Sequence, residues 1–498
     1  MALISILAGF FWNLQGAPLF DLDEGAFSEA TREMLERGDL ITPTLYGEPR
    51  HDKPILIYWL QAASVSLLGI HEYAFRLPSA IAAALWAGLA YAFLARIKGR
   101  REGLYAAILL STTLSITAIG KAATADALLN LWLAASLLSA FLYLREGRRL
   151  FLYGSFGAMG LGMLTKGPVA ILIPGAVTFL YCASRGELRT WFRAALDARG
   201  WGLLLAIALP WYGIQTFKDG GAFVKDFLLT HNVSRFRAPM EGHGGAFFYY
   251  IPVLLIGLLP HTHLALGTLS RLTSLWRADE QRFLVMWFAL VFLFFSLSGT
   301  KLPHYLNYGY TGLILLMALH LDRFSAAFWI LLPALLLEAF LLALPWLLPL
   351  SLPHIHDAFY REALEGARFG LDYPAFFALS TLLVLFLMVK KTWPLPERAL
   401  ISAVVVTFGL SAYLFPLAGE ILQSPVKEAA LKARAWQGPL VMWGINTPSF
   451  CVYAERIAER RRPQPGDLVF TKKARLADIP RFEPVYQRAG VALVVVKP

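Results

Sequence analysis

The sequence contains few charged residues and almost no cysteine. Only 16% of its 498 residues are Asp, Glu, Lys or Arg, whereas 57% are hydrophobic. An ordinary soluble enzyme carries more charge, so the composition excludes that class and indicates a polytopic membrane protein. The two cysteines, Cys182 and Cys451, are too few for a disulfide framework or a zinc cluster. The topology predicted below places them on opposite sides of the bilayer, where they cannot pair.

The sequence also lacks the features of a nucleic-acid-binding or nucleotide-dependent protein. Its net charge is +11, but it has no Lys/Arg-rich tail and no aromatic-basic repeat. It has no Gly-rich loop that would cradle a nucleotide phosphate. The apolar segment 2–11 follows no Lys or Arg and precedes no convincing small-x-small site, so we expect an uncleaved first span rather than a signal peptide.

Long apolar runs account for most of the chain. A membrane span needs about 20 mostly apolar residues. Runs of this kind predict about thirteen spans, near 3–18, 77–96, 103–120, 124–143, 150–164, 167–182, 201–217, 247–268, 282–298, 303–320, 326–348, 373–390 and 399–416. The run 54–70 is short and contains Gln61, so we expect it to be partly interfacial. The sequence therefore predicts an all-α polytopic membrane domain over residues 1–416.

The basic residues agree with an odd number of spans. If the N-terminus is cytoplasmic, every predicted cytoplasmic loop carries Lys or Arg, as the positive-inside rule requires. The other, extracytoplasmic side collects the polar segments, including KAATAD, TKGP, residues 231–250 and GTKLPHY. A transporter more often shows ionisable residues near the midplane and an internal repeat, and we find neither pattern in the sequence.

One polar stretch of about forty residues, from Asp21 to Leu60, interrupts the apolar runs. It predicts an amphipathic helix with Asp23 and Glu24 at its start, and it ends in His51-Asp52-Lys53 before Pro54. The apolar face would hold Phe27, Ala30, Met34 and Leu35, and the polar face Ser28, Glu29, Arg32, Glu33 and Glu36. The residues alone leave two interpretations of Asp23 and Glu24, which are catalysis and simple stabilisation of the helix N-terminus.

The order of short motifs in this stretch resembles a known family. DE, SEATREML, GD, TPTLYGEP and HDKP followed by YWL occur in the order found in the first external loop of bacterial GT-C glycosyltransferases. The similarity is greatest to the aminoarabinose transferases, which are related to the protein O-mannosyltransferases. The family usually has a second proline after KP, where this chain has Ile55.

The resemblance implies both an architecture and an activity. The architecture is a GT-C bundle with an active external loop at residues 19–76, in the bacterial inner membrane with its active site facing the periplasm or exterior. The activity is inverting transfer of a sugar from a polyprenyl phosphate, such as undecaprenyl phosphate, to an acceptor such as lipid A, a glycan or a protein. A flippase for the same lipid-linked sugar is the alternative, and it predicts that Asp23→Asn retains function.

The resemblance also implies roles for individual residues. The catalytic residues would be Asp23, Glu24 and Asp126. The donor phosphate would be bound by Lys53, Arg235, Lys301 and Tyr305. A divalent metal, zinc or a similar ion, would be held by Asp52 and His243. From the residues alone, Lys121 is a candidate partner for Asp126, and the cations and Tyr305 could equally be interfacial anchors.

The composition changes near the C-terminus. Residues 417–498 mix charged positions with the strand-like runs PLVMWG, DLVFTK and VALVVVK, separated by Pro and Gly. This pattern predicts a small extracytoplasmic α/β domain. Because about eighty residues form only a marginal core, we expect the domain to pack against the external loops.

Overall fold

The computed structural model describes residues 1–227 and 244–498 and is mostly α-helical. The α-helices in the first half are Ala2–Ile6, Asp23–Arg37, Leu56–Leu68, Glu72–Ile97, Arg100–Ser111, Leu114–Lys121, Asp126–Glu146, Arg149–Lys166, Val169–Ser184, Leu188–Ala195, Ala198–Asp219 and Ala222–Lys225. Those in the second half are Tyr250–Gly257, Thr262–Leu269, Leu272–Leu275, Asp279–Leu297, Asn307–His320, Ala327–Ser351, Ala358–Glu365, Asp372–Val389, Leu395–Gly409, Phe415–Leu422, Ser424–Ala433 and Pro448–Ala454. Short 3₁₀ turns include Phe247–Tyr249, Pro303–Leu306, Leu321–Arg323, Leu352–His354 and Lys473–Asp478, and π-helical turns occupy Leu7–Phe11 and Leu410–Leu414.

The chain is a multi-pass membrane protein, but the count of about thirteen spans is not confirmed. Among the described residues, six helices are long and apolar enough to cross a membrane, or seven when the bent pair Arg100–Ser111 and Leu114–Lys121 counts as one. The difference arises because several apolar runs form short or broken helices. The run predicted at 247–268, for example, is divided between Tyr250–Gly257 and Thr262–Leu269.

Loops predicted to share one side of the membrane lie together at one end of the bundle. Arg96 pairs with Glu146 at 2.8 Å, and Arg185 pairs with Asp279 at 3.0 Å. Each pair joins two different loops that the charge pattern assigns to the cytoplasmic side. The long polar stretch and the C-terminal domain lie together at the other end, as the contacts below show.

The helix Asp23–Arg37, here called the loop helix, lies where the sequence predicts it. Gly38 ends it with a φ of 64°, a left-handed conformation that glycine adopts without strain. Its apolar face is buried, and most of its polar face is buried as well: Glu29 is fully buried and pairs with Arg32 at 2.7 Å. Of the residues predicted for the polar face, only Glu36 is exposed. The rest of this face is covered largely because the loop helix packs against the C-terminal helix Pro448–Ala454.

A tight hairpin follows the loop helix. Strands β1 (Thr44–Leu45) and β2 (Glu48–Pro49) pair antiparallel across Tyr46 and Gly47, which both have positive φ angles as a type I′ turn requires. The Glu33 carboxylate accepts hydrogen bonds from the backbone N–H groups of Tyr46 at 2.7 Å and Gly47 at 3.1 Å. The loop helix thus fixes the hairpin through one buried carboxylate.

The C-terminal residues form the predicted small α/β unit. Its four strands are β3 (Leu440–Trp443), β4 (Leu468–Lys472), β5 (Phe482–Arg488) and β6 (Val491–Val496), in the order β3-β4-β6-β5. Strands β3 and β4 run parallel, whereas β6 pairs antiparallel with both β4 and β5. The predicted boundary at 417 falls inside the helix Phe415–Leu422, which continues the last long apolar helix of the bundle.

The C-terminal domain is joined to the start of the polar stretch by buried hydrogen bonds. The Asp21 carboxylate accepts hydrogen bonds from the Ser449 backbone N–H at 3.0 Å and from the Ser449 hydroxyl. Burial raises the pKa of Asp21 to about 7, although the bonds from Ser449 oppose that rise. The Tyr453 hydroxyl accepts from the Leu19 N–H at 2.7 Å and donates to Glu72 at 2.9 Å. The domain therefore helps to position the residues just before Asp23.

Candidate active site

Asp23 is the first residue of the loop helix, and its side chain is exposed. Across the two described segments its carboxylate has no hydrogen bond or ion pair, so it is available to a substrate.

Glu24, the next residue, is in a very different environment. It is buried and forms a two-pronged ion pair with Arg76, at 2.7 and 2.9 Å. Its carboxylate also accepts hydrogen bonds from the backbone N–H groups of Phe20 at 2.9 Å and Ala123 at 2.7 Å. Both oxygens are thus occupied by the protein itself, which makes Glu24 a group that positions its neighbours.

The guanidinium of Arg76 also binds the chain segment that precedes the loop helix. It donates to the backbone carbonyls of Leu14 at 2.7 Å, Ala17 at 2.6 Å and Pro18 at 2.8 Å. Arg76 lies in the long helix Glu72–Ile97 and is fully buried. Asp23 is therefore attached to the bundle through the adjacent Glu24 and this arginine.

Asp126 begins the helix Asp126–Glu146 and is buried. Its carboxylate pairs with the Lys166 ammonium at 2.6 Å and lies 3.4 Å from the Tyr308 hydroxyl. Lys166 also donates to Tyr308 at 2.9 Å. The predicted partner Lys121 is not the one observed, because its ammonium donates instead to the Trp12 carbonyl. Sequence proximity favoured Lys121, whereas helix packing brings Lys166 to Asp126.

The turn Pro303–Leu306 adds two aromatic side chains to this cluster. His304 Nε2 is 3.8 Å from the Asp126 carboxylate. The Tyr305 ring packs on the Phe295 ring with centroids 4.8 Å apart, and the Lys166 ammonium lies 6.0 Å from its centre. We call Asp126, Lys166, His304, Tyr305 and Tyr308 the polar cluster. It combines one carboxylate, two groups that can carry positive charge and two phenols.

Lys53 connects the polar cluster with the active loop. Its ammonium donates to the Asp52 carboxylate at 2.7 Å, and Arg50 contacts the same carboxylate at 3.1 Å. Lys53 also lies within electrostatic range of Asp126, as Asp23 does of His304. The structure therefore brings four residues predicted for the site, Asp23, Lys53, Asp126 and Tyr305, into one region.

Lys301 lies close to the polar cluster in sequence, but its ammonium is engaged elsewhere. It donates to the backbone carbonyls of Ser296 and Ser298, both at 2.8 Å, and it is buried. Burial lowers the pKa of Lys301, because desolvation penalises the charged ammonium. These bonds close the C-terminal end of the helix Asp279–Leu297, where a cation is favoured by the helix dipole.

The described residues do not by themselves make up a metal site. Asp52 already faces two cations, Lys53 and Arg50, which compete with a bound ion. Within residues 1–227 and 244–498, no three His, Cys, Asp or Glu side chains are grouped as metal ligands would be. His243, the other predicted ligand, and Arg235, the predicted phosphate contact, lie outside the described residues. Metal binding at Asp52 and His243 stays a prediction.

Sequence reasoning missed Lys166, His304, Tyr308 and Arg76 as residues of the site. Lys166 and His304 occur in TKGP and GTKLPHY, which the predicted topology assigns to the extracytoplasmic side. Their position next to span ends was therefore a usable signal, whereas their convergence on Asp126 required the helix packing. Arg76 had no signal, because an arginine in the first turns of an alanine-rich helix predicts no particular partner.

Sequence comparison supports the relationship that the motifs indicate. Residues 52–213 match the family described as dolichyl-phosphate-mannose-protein mannosyltransferase. The undecaprenyl phosphate-alpha-4-amino-4-deoxy-L-arabinose arabinosyl transferase of Aeromonas hydrophila is 32% identical over 318 residues, which are 61% of this chain and 56% of that protein. The transferase of the same name from Pectobacterium carotovorum is 32% identical over 321 residues, 63% of this chain and 57% of that protein. The match thus spans little more than half the length of these relatives.

Structural comparison extends the similarity to nearly the whole chain. The crystal structure of ArnT from Cupriavidus metallidurans bound to undecaprenyl phosphate matches with a TM-score of 0.84 and 21% identity, over 99% of this chain and 96% of that one. The Archaeoglobus fulgidus oligosaccharyltransferase matches with a TM-score of 0.51 and 14% identity, over 92% of this chain and 63% of that one. These matches establish that the chain has the same fold as ArnT, and the sequence similarity to the arabinosyl transferases agrees with that fold.

Proposed function

We propose that this protein transfers a sugar from a polyprenyl phosphate donor to an acceptor on the extracytoplasmic side of the bacterial inner membrane. The single observation that carries the proposal is the exposed Asp23 carboxylate within electrostatic range of the polar cluster. Glycosyl transfer needs an acceptor to be oriented and a leaving phosphate to be stabilised. Asp23 can orient the acceptor, and the cations of the polar cluster can stabilise the leaving phosphate.

The donor phosphate would be held by the cations around Asp126. Lys166 and Lys53 carry the positive charge, and the phenols of Tyr305 and Tyr308 lie beside Lys166. Asp126 holds Lys166 at 2.6 Å, so it positions a cation without itself contacting the phosphate. Arg235 and Lys301 stay predicted phosphate ligands, and Lys301 would have to exchange its carbonyl partners to act in this way.

The reaction would be a single displacement with inversion at the anomeric carbon. An acceptor oxygen forms the new bond to that carbon, and the bond to the phosphate oxygen breaks with its electron pair leaving on the phosphate. If the acceptor is a hydroxyl, Asp23 takes its proton as general base. If the acceptor is a phosphate, as on lipid A, the nucleophile is already anionic and Asp23 only orients it.

Two similarities support an undecaprenyl phosphate donor. The relatives are named as transferases of an undecaprenyl phosphate sugar, and the ArnT crystal structure is bound to undecaprenyl phosphate. The acceptor stays open among lipid A, a glycan and a protein. A catalytic metal at Asp52 and His243 is tested separately, by treating the purified protein with a chelator and restoring zinc. Transfer that is lost with the chelator and recovered with zinc supports the metal, whereas unchanged transfer refutes it.

The test is donor turnover by the purified protein in liposomes that contain polyprenyl phosphate sugars and a mixed extract of lipid A, glycans and secreted proteins. We expect the wild type to label an acceptor and Asp23→Asn to bind donor without transferring sugar. Glu48→Gln is the matched control, because Glu48 is an exposed carboxylate of the same loop outside the site. Movement of lipid-linked sugar across the bilayer with no transfer by any variant would refute the proposal and favour a flippase.

A further inference from the structure

A basic pocket lies on the C-terminal domain at the carboxyl ends of its parallel strands. Its volume is about 570 Å³, and its lining includes Gly444 and Asn446 after β3 and Lys472 at the end of β4. A third segment runs parallel beside β3, since Glu459 pairs with Val441. Its continuation, Arg460 to Arg462, reaches the same edge and lines the pocket. Crevices at the carboxyl ends of parallel strands are common ligand sites in α/β domains.

The charge of this pocket is not neutralised by the protein. Arg461 is engaged, because it pairs with Asp467 at 2.6 Å and Glu459 at 2.5 Å. The side chains of Arg460, Arg462 and Lys472 make no hydrogen bond or ion pair within the described segments, and no acidic side chain lines the pocket. Three unpaired cations around one concavity repel one another unless an anion lies between them.

The pocket borders the active loop. The Tyr46 hydroxyl donates to the Asn446 side chain at 2.9 Å, and the Arg460 guanidinium lies 5.2 Å from the centre of the Tyr46 ring. Tyr46 belongs to the hairpin that Glu33 of the loop helix holds, and Asp23 begins that helix. A molecule bound in the pocket is therefore adjacent to the loop that carries the proposed catalytic carboxylate.

We propose that this pocket binds an anionic group, a phosphate or a similar oxyanion, carried by the sugar acceptor at a distance from the reacting atom. Arginine contacts such oxyanions through two parallel hydrogen bonds, and lysine contacts them as a point charge. The inference rests on the proposed transferase function. It names a second, remote point of attachment that selects acceptors with an anionic group away from the reacting oxygen.

The first test measures binding of inorganic pyrophosphate to the full-length protein by isothermal titration calorimetry in detergent. Arg462→Gln is the main variant, because its side chain is exposed and does not contact the active loop. Arg481→Gln is the matched control, since Arg481 is exposed on the same domain and does not line the pocket. We expect Arg462→Gln to weaken binding about tenfold and Arg481→Gln to leave it unchanged. Equal binding by all three proteins would overturn the site.

The second test asks whether the anion belongs to the acceptor. In the transfer assay described above, we expect pyrophosphate to compete with the acceptor that receives the labelled sugar. We expect Arg462→Gln to raise the acceptor KM without changing the donor KM. Pyrophosphate binding with no effect on the acceptor KM would show a site for free anions and overturn the acceptor assignment. No transfer by the wild type would refute the proposed function instead, while the calorimetry still decides whether the pocket binds anions.

Discussion

Arg76→Met should release the loop that carries Asp23 from the bundle. Glu24 and Arg76 are both almost fully buried, with exposed side-chain fractions of 5% and 0%. Removing the guanidinium leaves a buried carboxylate without its partner and three carbonyls without their donor. Breaking a buried ion pair in this way costs about 3–5 kcal/mol.

This loss of unfolding free energy can be converted into a change of melting temperature, Tm. An unfolding entropy of about 2.1 cal/mol/K per residue gives about 1 kcal/mol/K for 498 residues, so each kcal/mol lowers Tm by about 1 °C. We therefore expect Arg76→Met to unfold about 3–5 °C below the wild type and to lose sugar transfer. The assay is thermal unfolding in detergent, followed by tryptophan fluorescence, with transfer measured at a temperature where both proteins are folded.

Two further variants make this prediction specific. Arg101→Met removes an arginine whose pair with Asp322 is exposed, and we expect its Tm to fall by less than about 1 °C. Glu24→Gln should lower both Tm and transfer, because an amide cannot accept all the hydrogen bonds that the carboxylate accepts. If Glu24→Gln abolished transfer with an unchanged Tm, Glu24 would be catalytic and the anchoring role would be refuted.

Three further predictions concern the polar cluster and the contact with the C-terminal domain. Lys166→Gln should raise the donor KM about tenfold, because it removes a cation beside the proposed phosphate position. Lys218→Gln is the control, since it breaks only an exposed pair with Asp39 and should leave the donor KM unchanged. Equal donor KM values for the two variants would contradict this prediction. Gly25→Ala should lower Tm and transfer, because the added Cβ would lie 2.1 Å from the Asp21 carboxylate and 2.6 Å from the Ser449 nitrogen. An unchanged Tm would show that the loop helix and the C-terminal domain separate easily at this contact. The pKa of Asp21 is raised to about 7 in the folded protein, from 3.8, so the folded state holds this proton more tightly and Asp21 favours folding less as pH rises from 4 through 7. The Tm of the wild type relative to Asp21→Asn should therefore fall between pH 5 and pH 8, and a constant difference would refute the assignment.

Local sequence patterns predicted the elements that depend on nearby residues. The loop helix was predictable because its amphipathic pattern lies within the 15 residues Asp23–Arg37. The strands of the C-terminal domain follow from short apolar runs between turn residues. The resemblance to the family then supplied Asp23, Lys53, Asp126 and Tyr305, which the structure brings into one region.

Features that depend on distant packing were not predictable in the same way. Asp126 meets Lys166 rather than Lys121 because two long helices bring residues forty positions apart to 2.6 Å. Most of the polar face of the loop helix is buried because the C-terminal domain, more than four hundred residues later, covers it. Span counting assumes continuous helices, and the broken helices near Leu258 to His261 violate that assumption.

The central claim is that the protein is a transferase in which Asp23 acts on the acceptor. Its most direct test is sugar transfer from radiolabelled undecaprenyl phosphate sugar by wild type, Asp23→Asn and Glu48→Gln, with donor binding measured on the same samples. We predict transfer by wild type and Glu48→Gln, and donor binding without transfer by Asp23→Asn. Transfer by Asp23→Asn at the wild-type rate would contradict the account.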